Sequence, residues 1–348
     1  MRRTFRTVVT ALMAALLLGL AACGDDDDGG GDTGGGGGGE PAGEAIKVGV
    51  VTDIGGLNDR SFNSLANQGF KRAQSELGIE GRVLLSNSNS DYIPNLTQLA
   101  QQKYDLIIPV GFLMSEATNT VASKLGDANF AIVDFPAAGL KDQPTNVQGL
   151  LFKENEAGYL AGYLAGLWAK DNDAKVISSV GGQKIPPVDG YIAGYQAGAK
   201  AAYPEIKTLN GYSQDFVDQA KCKEIALDQI AKGSKVVFQV AGGCGLGALD
   251  AAKEKGAQGI GVDADQSYLG DHILTSAVKR VDVAVFDAIK RAQDGTFKGG
   301  EDVIATVKNG GVGLGKISAE GEKYADQIKE ITDKIAAGEI SDIPAEVK

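Results

Sequence analysis

Histidine is nearly absent from this chain: His272 is the only one in 348 residues. That scarcity excludes the histidine-centred machinery of most hydrolases and the imidazole ligands of most transition-metal centres. Cysteine is almost as rare, with Cys23, Cys222 and Cys244 the full complement, so no thiolate cluster for zinc or iron–sulfur is available. The motif G-x-S-x-G is missing as well. Basic excess is lacking too: the formal net charge is −11. No second apolar run after the first two dozen residues is long enough to span a bilayer.

What is present begins with an export signal. Arg2, Arg3 and Arg6 give a positive start, "VVTALMAALLLGLAA" is apolar but short, and small residues lead into Cys23. The four residues "LAAC" resemble a bacterial lipobox, which implies that residues 1–22 are removed and Cys23 is lipidated. Acyl chains at roughly 0.8 kcal/mol per buried CH₂ would hold the protein to the outer face of the cell membrane. Residues 23–45 carry glycine and aspartate with no aliphatic side chain larger than alanine, which predicts a disordered tether of roughly 25 Å reach. Adjacent carboxylates on such a chain make no metal cage. Once the signal's three arginines and the tether's seven acids are set aside, the body carries a net charge of −7, which argues against nucleic acid or anionic lipid as a partner.

The body, from residue 46 on, is too long for one core, so two domains are expected. Apolar runs of strand length, such as "IKVGVVTD", "DLIIPVG", "FAIVDF", "KVVFQVAGG" and "QGIGVDAD", alternate with amphipathic stretches of helix length. This rhythm predicts an α/β fold with parallel sheets covered on both faces. It breaks twice, near Val147 to Gly158 and near Asp263 to Lys279, where strand follows strand. There the chain could pass from one sheet to a second, leaving a cleft between two lobes.

Ligands of open α/β sheets bind beyond the strands' carboxyl ends, and those ends are polar here. Asp53 follows the first strand, then Gly55 and Gly56 free the backbone, and Asp59 or Asn58 can cap the next helix. Gly111 and Phe112, Asp134, Gly242 and Gly243, Asp263 and Lys279 stand at other strand ends. Phe62 is the first member of an apolar helical face, and periodicity alone makes it core. "GGVGLGK" (310–316) has Walker A spacing but Ile317 where a hydroxyl is required, and "GGCGLGAL" (242–249) has its third glycine one residue early for a dinucleotide loop. Paired carboxylates could in principle run a hydrolysis. Cys222 begins a helix and Cys244 follows the next strand. In a right-handed unit these positions share one sheet edge, so a disulfide between them is expected.

Eight segments in order, "VTDIGGLNDRSFN", "PVGFLMSEA", "FAIVD", "FKENEAGYLAG", "GGQKIPPVDGYIAGYQAGAK", "VVFQVAGGCGLGAL", "IGVDADQ" and "TSAVKRVDVAVFDAI", resemble the basic membrane protein family. These are the purine nucleoside receptor A-like substrate-binding lipoproteins of bacterial ABC importers. The resemblance implies a type I periplasmic-binding-protein fold: two Rossmann-like lobes joined by three crossings, with residues 46–150 and 272–298 in one lobe and 151–271 and 299–348 in the other. It implies a nucleoside held in the cleft, delivery to permease subunits, a monomer, no cofactor, no metal and no catalytic residue. By motif, Phe62 and Phe216 would sandwich the base, Asn63 and Asp59 would lie at the same site, and Asp134, Asp263 and Lys279 would take hydroxyl and ring polar groups. This reverses the core reading of Phe62. "DFVDQAKC" lacks the family's proline, and Cys244 stands where threonine is common. Three other readings follow from the same residues: a sugar or other small polar ligand in the same fold, a carboxylate-driven nucleoside hydrolase, and a surface protein whose cleft is a relic.

Overall fold

The structure is a computed structural model and describes residues 45–348. The export signal, Cys23 and nearly all of the tether lie outside the described residues. In chain order the strands and helices are β1 (Lys47–Val51), α1 (Phe62–Leu77), β2 (Glu80–Leu84), α2 (Tyr92–Gln101), β3 (Leu106–Pro109), α3 (Ser115–Ala122), β4 (Asn129–Val133) and β5 (Val147–Phe152). There follow α4 (Glu154–Asp171), β6 (Val176–Gly181), α5 (Pro186–Ala202), β7 (Lys207–Tyr212), α6 (Gln219–Ala231), β8 (Ser234–Val240), α7 (Gly242–Glu254), β9 (Gln258–Asp263) and β10 (Ile273–Lys279). The chain ends with α8 (Val281–Gln293), β11 (Asp302–Ala305), β12 (Val312–Leu314) and α9 (Ala325–Ala337).

These strands build two six-stranded sheets of matching order, β2-β1-β3-β4-β5-β11 and β7-β6-β8-β9-β10-β12. Pairing is parallel throughout except between β10 and β12. Parallel sheets need apolar residues on both faces. Accordingly the central strands are almost wholly buried, as in the run Leu106 to Pro109 and in Phe130 to Val133. In each sheet the order reverses beside the first strand, between β1 and β3 and between β6 and β8, and such a switch point opens a crevice at the carboxyl ends.

The sheets correct the expected lobe boundaries. Residues 273–279 pair with β9 inside the second sheet instead of joining the first lobe. Residues 302–305 pair with β5 and belong to the first sheet instead of the second lobe. The cause is the same at both breaks in rhythm: a strand that follows a strand is one more member of the same sheet, and the chain crosses only after it. His272 therefore leads into β10 within the second lobe, half-buried, with its backbone oxygen accepting from Gly259 at 2.7 Å. The crossings fall at Lys153, at Arg280 and between Ala305 and Val312, and they are hydrogen-bonded to one another. Lys153 N donates to Ala305 O at 2.8 Å, Arg280 N to Gly311 O at 2.9 Å, and Val307 N to Glu156 Oε2 at 2.7 Å.

Packing within the second lobe rests on small residues. A Cβ on Gly162 of α4 would lie 1.9 Å from Tyr195 O, and one on Gly198 of α5 would lie 2.0 Å from Tyr159 O. The two helices thus meet backbone to backbone, which carries the start of α5 to the edge of the interlobe space.

Candidate functional site

A cavity lies between the lobes at the facing strand ends, with about 640 Å³ of space including its mouth. All twelve residues singled out from the sequence line it. Asp53, Asp59, Phe62, Asn63, Gly111, Phe112 and Asp134 come from the first lobe, and Phe216, Gly242, Gly243, Asp263 and Lys279 from the second.

The β1–α1 segment is fixed by its own polar groups. Asp59 accepts from the backbone N–H of Ser61 at 3.1 Å, Asn63 at 2.7 Å and Ser64 at 3.0 Å, satisfying donors that a helix start leaves open. Its cap role is therefore occupied whatever else it does. Asn63 Oδ1 accepts from Asp53 N at 3.0 Å, which ties the helix back to the strand end. Asp53 in turn accepts from Ile54 N at 2.7 Å and from the Tyr92 hydroxyl. Gly111, with φ of 124°, is required here: a Cβ would stand 2.7 Å from Asp53 Oδ2.

Asp134 and Asp263 occupy matching places, each just where the fourth strand of its sheet ends, and both have left-handed backbones, with φ of 68° and 60°. A non-glycine residue held there costs of order 1 kcal/mol, tolerable for aspartate and typical of functional sites. Ser61 Oγ of the first lobe donates to Asp263 Oδ2 of the second at 2.7 Å, so the lobes touch at this point. Asp134 Oδ1 is buried with no hydrogen-bond partner among the described residues.

Lys279 joins these groups. Its Nζ donates to Asp134 Oδ2 at 2.7 Å across the interlobe boundary and to Glu154 Oε1 at 3.1 Å, and its side chain is 2% exposed. The rings of Phe62 and Phe152 stand 5.1 and 4.9 Å from the ammonium. Burial by itself would lower the lysine's pKa, but Asp134, Glu154 and Asp263 outweigh it and hold the group above its ordinary value. Burial works the other way on the acids. It raises Asp134 against the pull of Lys279, lifts Glu154 to about 7, and lifts Asp53 and Asp263 to about 6.

Phe216 is seated by glycine and by a helix start. A Cβ on Gly182 would stand 2.2 Å from its ring, and its carbonyl accepts from Cys244 N at 3.0 Å. Cys244 is bonded to Cys222, with Cα atoms 5.6 Å apart, so α6 and α7 are joined where both leave the cavity edge. "GGCGLGAL" thus opens a helix whose first residues carry Phe216, and "GGVGLGK" contains the edge strand β12. Groups of histidine, cysteine or acid residues arranged to hold a metal are not found among the described residues.

Sequence reasoning missed the α5 wall and the groups behind the cavity. Ile185, Pro187, Val188 and Tyr191 line it, and Tyr191 OH approaches Asp263 Oδ1 at 3.4 Å. The signal existed: Pro186 and Pro187 mark a helix start directly after strand β6, and strand ends gather at the site. Glu154 and Tyr92 reach the site only through Lys279 and Asp53, and no local pattern marks them.

Two similarly wound lobes with a cavity at their facing strand ends define the class of periplasmic solute-binding proteins of ABC systems. Within it, the chain belongs to the family described as ABC transporter substrate-binding protein PnrA-like, whose model matches residues 46–345. It is 36% identical over 318 residues to the ABC transporter nucleoside-binding protein BmpA of Lactococcus lactis, covering 85% of this chain and 88% of that one. It is 37% identical over 307 residues to an uncharacterised lipoprotein of Pyrococcus horikoshii, covering 83% and 75%. Among solved structures, an ABC transporter solute-binding protein from Aeropyrum pernix superposes with a TM-score of 0.77 at 29% identity, covering 86% of this chain and 94% of that one.

Proposed function

We propose that this substrate-binding protein captures a nucleoside, tethered to the outer face of the membrane through a lipid on Cys23, and presents it to the permease of an importer. The observation that carries the reading is the presence of one phenylalanine ring from each lobe, Phe62 and Phe216, on a single cavity whose other polar side chains are four carboxylates, the Asn63 amide and the Lys279 ammonium. A flat heterocycle is the ligand that uses two ring faces, each contributing about 1 kcal/mol beyond buried area. A ribose hydroxyl is the donor that a partnerless buried carboxylate oxygen such as Asp134 Oδ1 lacks. The name of the Lactococcus relative, a nucleoside-binding protein, supports the same reading. No step of capture asks for bond-breaking: closure buries the ligand and shapes the face offered to the permease.

Calorimetry with adenosine, guanosine, inosine and free ribose tests this, together with native mass spectrometry of the protein as purified. Binding of at least one nucleoside in the micromolar range or tighter, without release of free base, is expected. Binding of ribose alone, or steady appearance of free base, would replace the proposal with a sugar carrier or a hydrolase.

A further inference from the structure

The cavity is lined by four carboxylates, Asp53, Asp59, Asp134 and Asp263, and by one cation among the described residues, Lys279. A lone buried ammonium facing a ligand site would ordinarily attract an anion. Here it is already engaged from both sides, by Asp134 across the boundary and by Glu154 from its own lobe. Glu154 lies one residue past the first crossing, at the start of α4, with a side chain 11% exposed, and it does not line the cavity. Its only side-chain partner, hydrogen-bonded or ionic, among the described residues is Lys279.

We propose that Glu154 is a specificity-determining residue: by occupying Lys279 from behind, it offsets the one cation and deepens the cavity's negative potential, turning away phosphorylated and other anionic forms of the ligand. The inference rests on the nucleoside reading and deepens it, assigning the substrate class as uncharged nucleosides and not nucleotides. Asp134 serves the same balance but faces the ligand, so its replacement would confuse charge with contact. Glu154 separates the two, because it acts only through the lysine.

The groups facing Glu154 are Lys279 from β10, Asp134 from the end of β4 and the phenol of Tyr191 on α5, with Asp263 acting on Lys279 from the end of β9. Tyr191 is held well above the ordinary phenol range, first by burial, and stays neutral. Glu154, pushed up to about 7, is ionised at pH 8 and largely neutral at pH 6. Discrimination against anions therefore grows as pH rises through 7. Removing one unit charge from such a site changes the binding of a singly charged ligand by on the order of tenfold.

The experiment compares adenosine with adenosine 5′-carboxylate, whose charge is constant between pH 6.5 and 8, by calorimetry on the whole protein. Glu154→Gln keeps an oxygen for the Lys279 ammonium, and Glu154→Asp keeps the charge. At pH 8 the wild type is expected to favour adenosine, and Glu154→Gln to bind the carboxylate about tenfold better relative to adenosine. At pH 6.5 the two proteins converge, and Glu154→Asp behaves as wild type throughout. Thermal melting confirms that each variant is folded. Unchanged discrimination in a folded Glu154→Gln that still binds adenosine overturns this inference alone. Failure of the wild type to bind adenosine, guanosine or inosine overturns the nucleoside reading and this inference with it.

Discussion

Phe62 shows how much one residue's surroundings decide. By periodicity it belongs to the apolar face of α1, and it is in fact packed against the main core, yet it also forms a cavity wall and lies 5.1 Å from the Lys279 ammonium. Replacing either Phe62 or Phe216 by alanine is expected to weaken nucleoside binding by about 30-fold or more, from lost area and lost stacking together, with little change in the fold; calorimetry measures it. Asp53 makes a different kind of prediction. Its carboxyl is raised from 3.8 to about 6, first by burial, so the folded state holds a proton that the unfolded chain has already released. Such a group stabilises the fold at low pH and loses that contribution as pH rises from about 4 to about 6, by roughly 3 kcal/mol. Denaturant melts of wild type and Asp53→Asn should therefore diverge over that window, the wild type losing ground as pH increases, and run parallel above pH 7.

Elements were legible in proportion to their length and periodicity. The strands β1, β3, β4, β8 and β9 sit close to the apolar runs that mark them in the sequence, and β5 and β10 fall at the two breaks in rhythm. The edge strands β11 and β12, four and three residues long, carry no pattern that distinguishes them from loop. Their lack of pattern is also why residues 302–305 fall outside their expected lobe. The site was legible because strand ends are where a parallel sheet must place its polar residues. The α5 wall was not, because its apolar residues look like core until one knows that the helix begins at a cavity. At this scale the disulfide is the sharpest handle. Cys222→Ser with Cys244→Ser should cost roughly 3 kcal/mol in a denaturant melt, from restored freedom of a loop of 22 residues in the unfolded chain. It should also weaken binding several-fold, since Phe216 leans on the backbone of Cys244.

The described residues form two lobes that touch beside the cavity: Ser61 with Asp263, the Gln266 amide with Arg60 O at 3.4 Å, and Lys279 with Asp134. Each of these should separate in an open form. Small-angle scattering is expected to show a smaller radius of gyration on adding a bound nucleoside, and no change for Phe62→Ala at ligand concentrations where that variant stays empty. Changing Cys23 to serine is expected to move the protein from the membrane fraction to the soluble one in bacterial cells, with ligand affinity intact. No helix among the described residues is long and apolar enough to cross a membrane.

The three crossings, laced to one another through Lys153, Ala305, Arg280 and Gly311, behave like the stitched back of a book. A back stitched along its length permits the covers to swing about one axis and forbids them to slide or twist. The free margin opposite the stitching is then the one side that can gape, and every ligand molecule must arrive and depart through it.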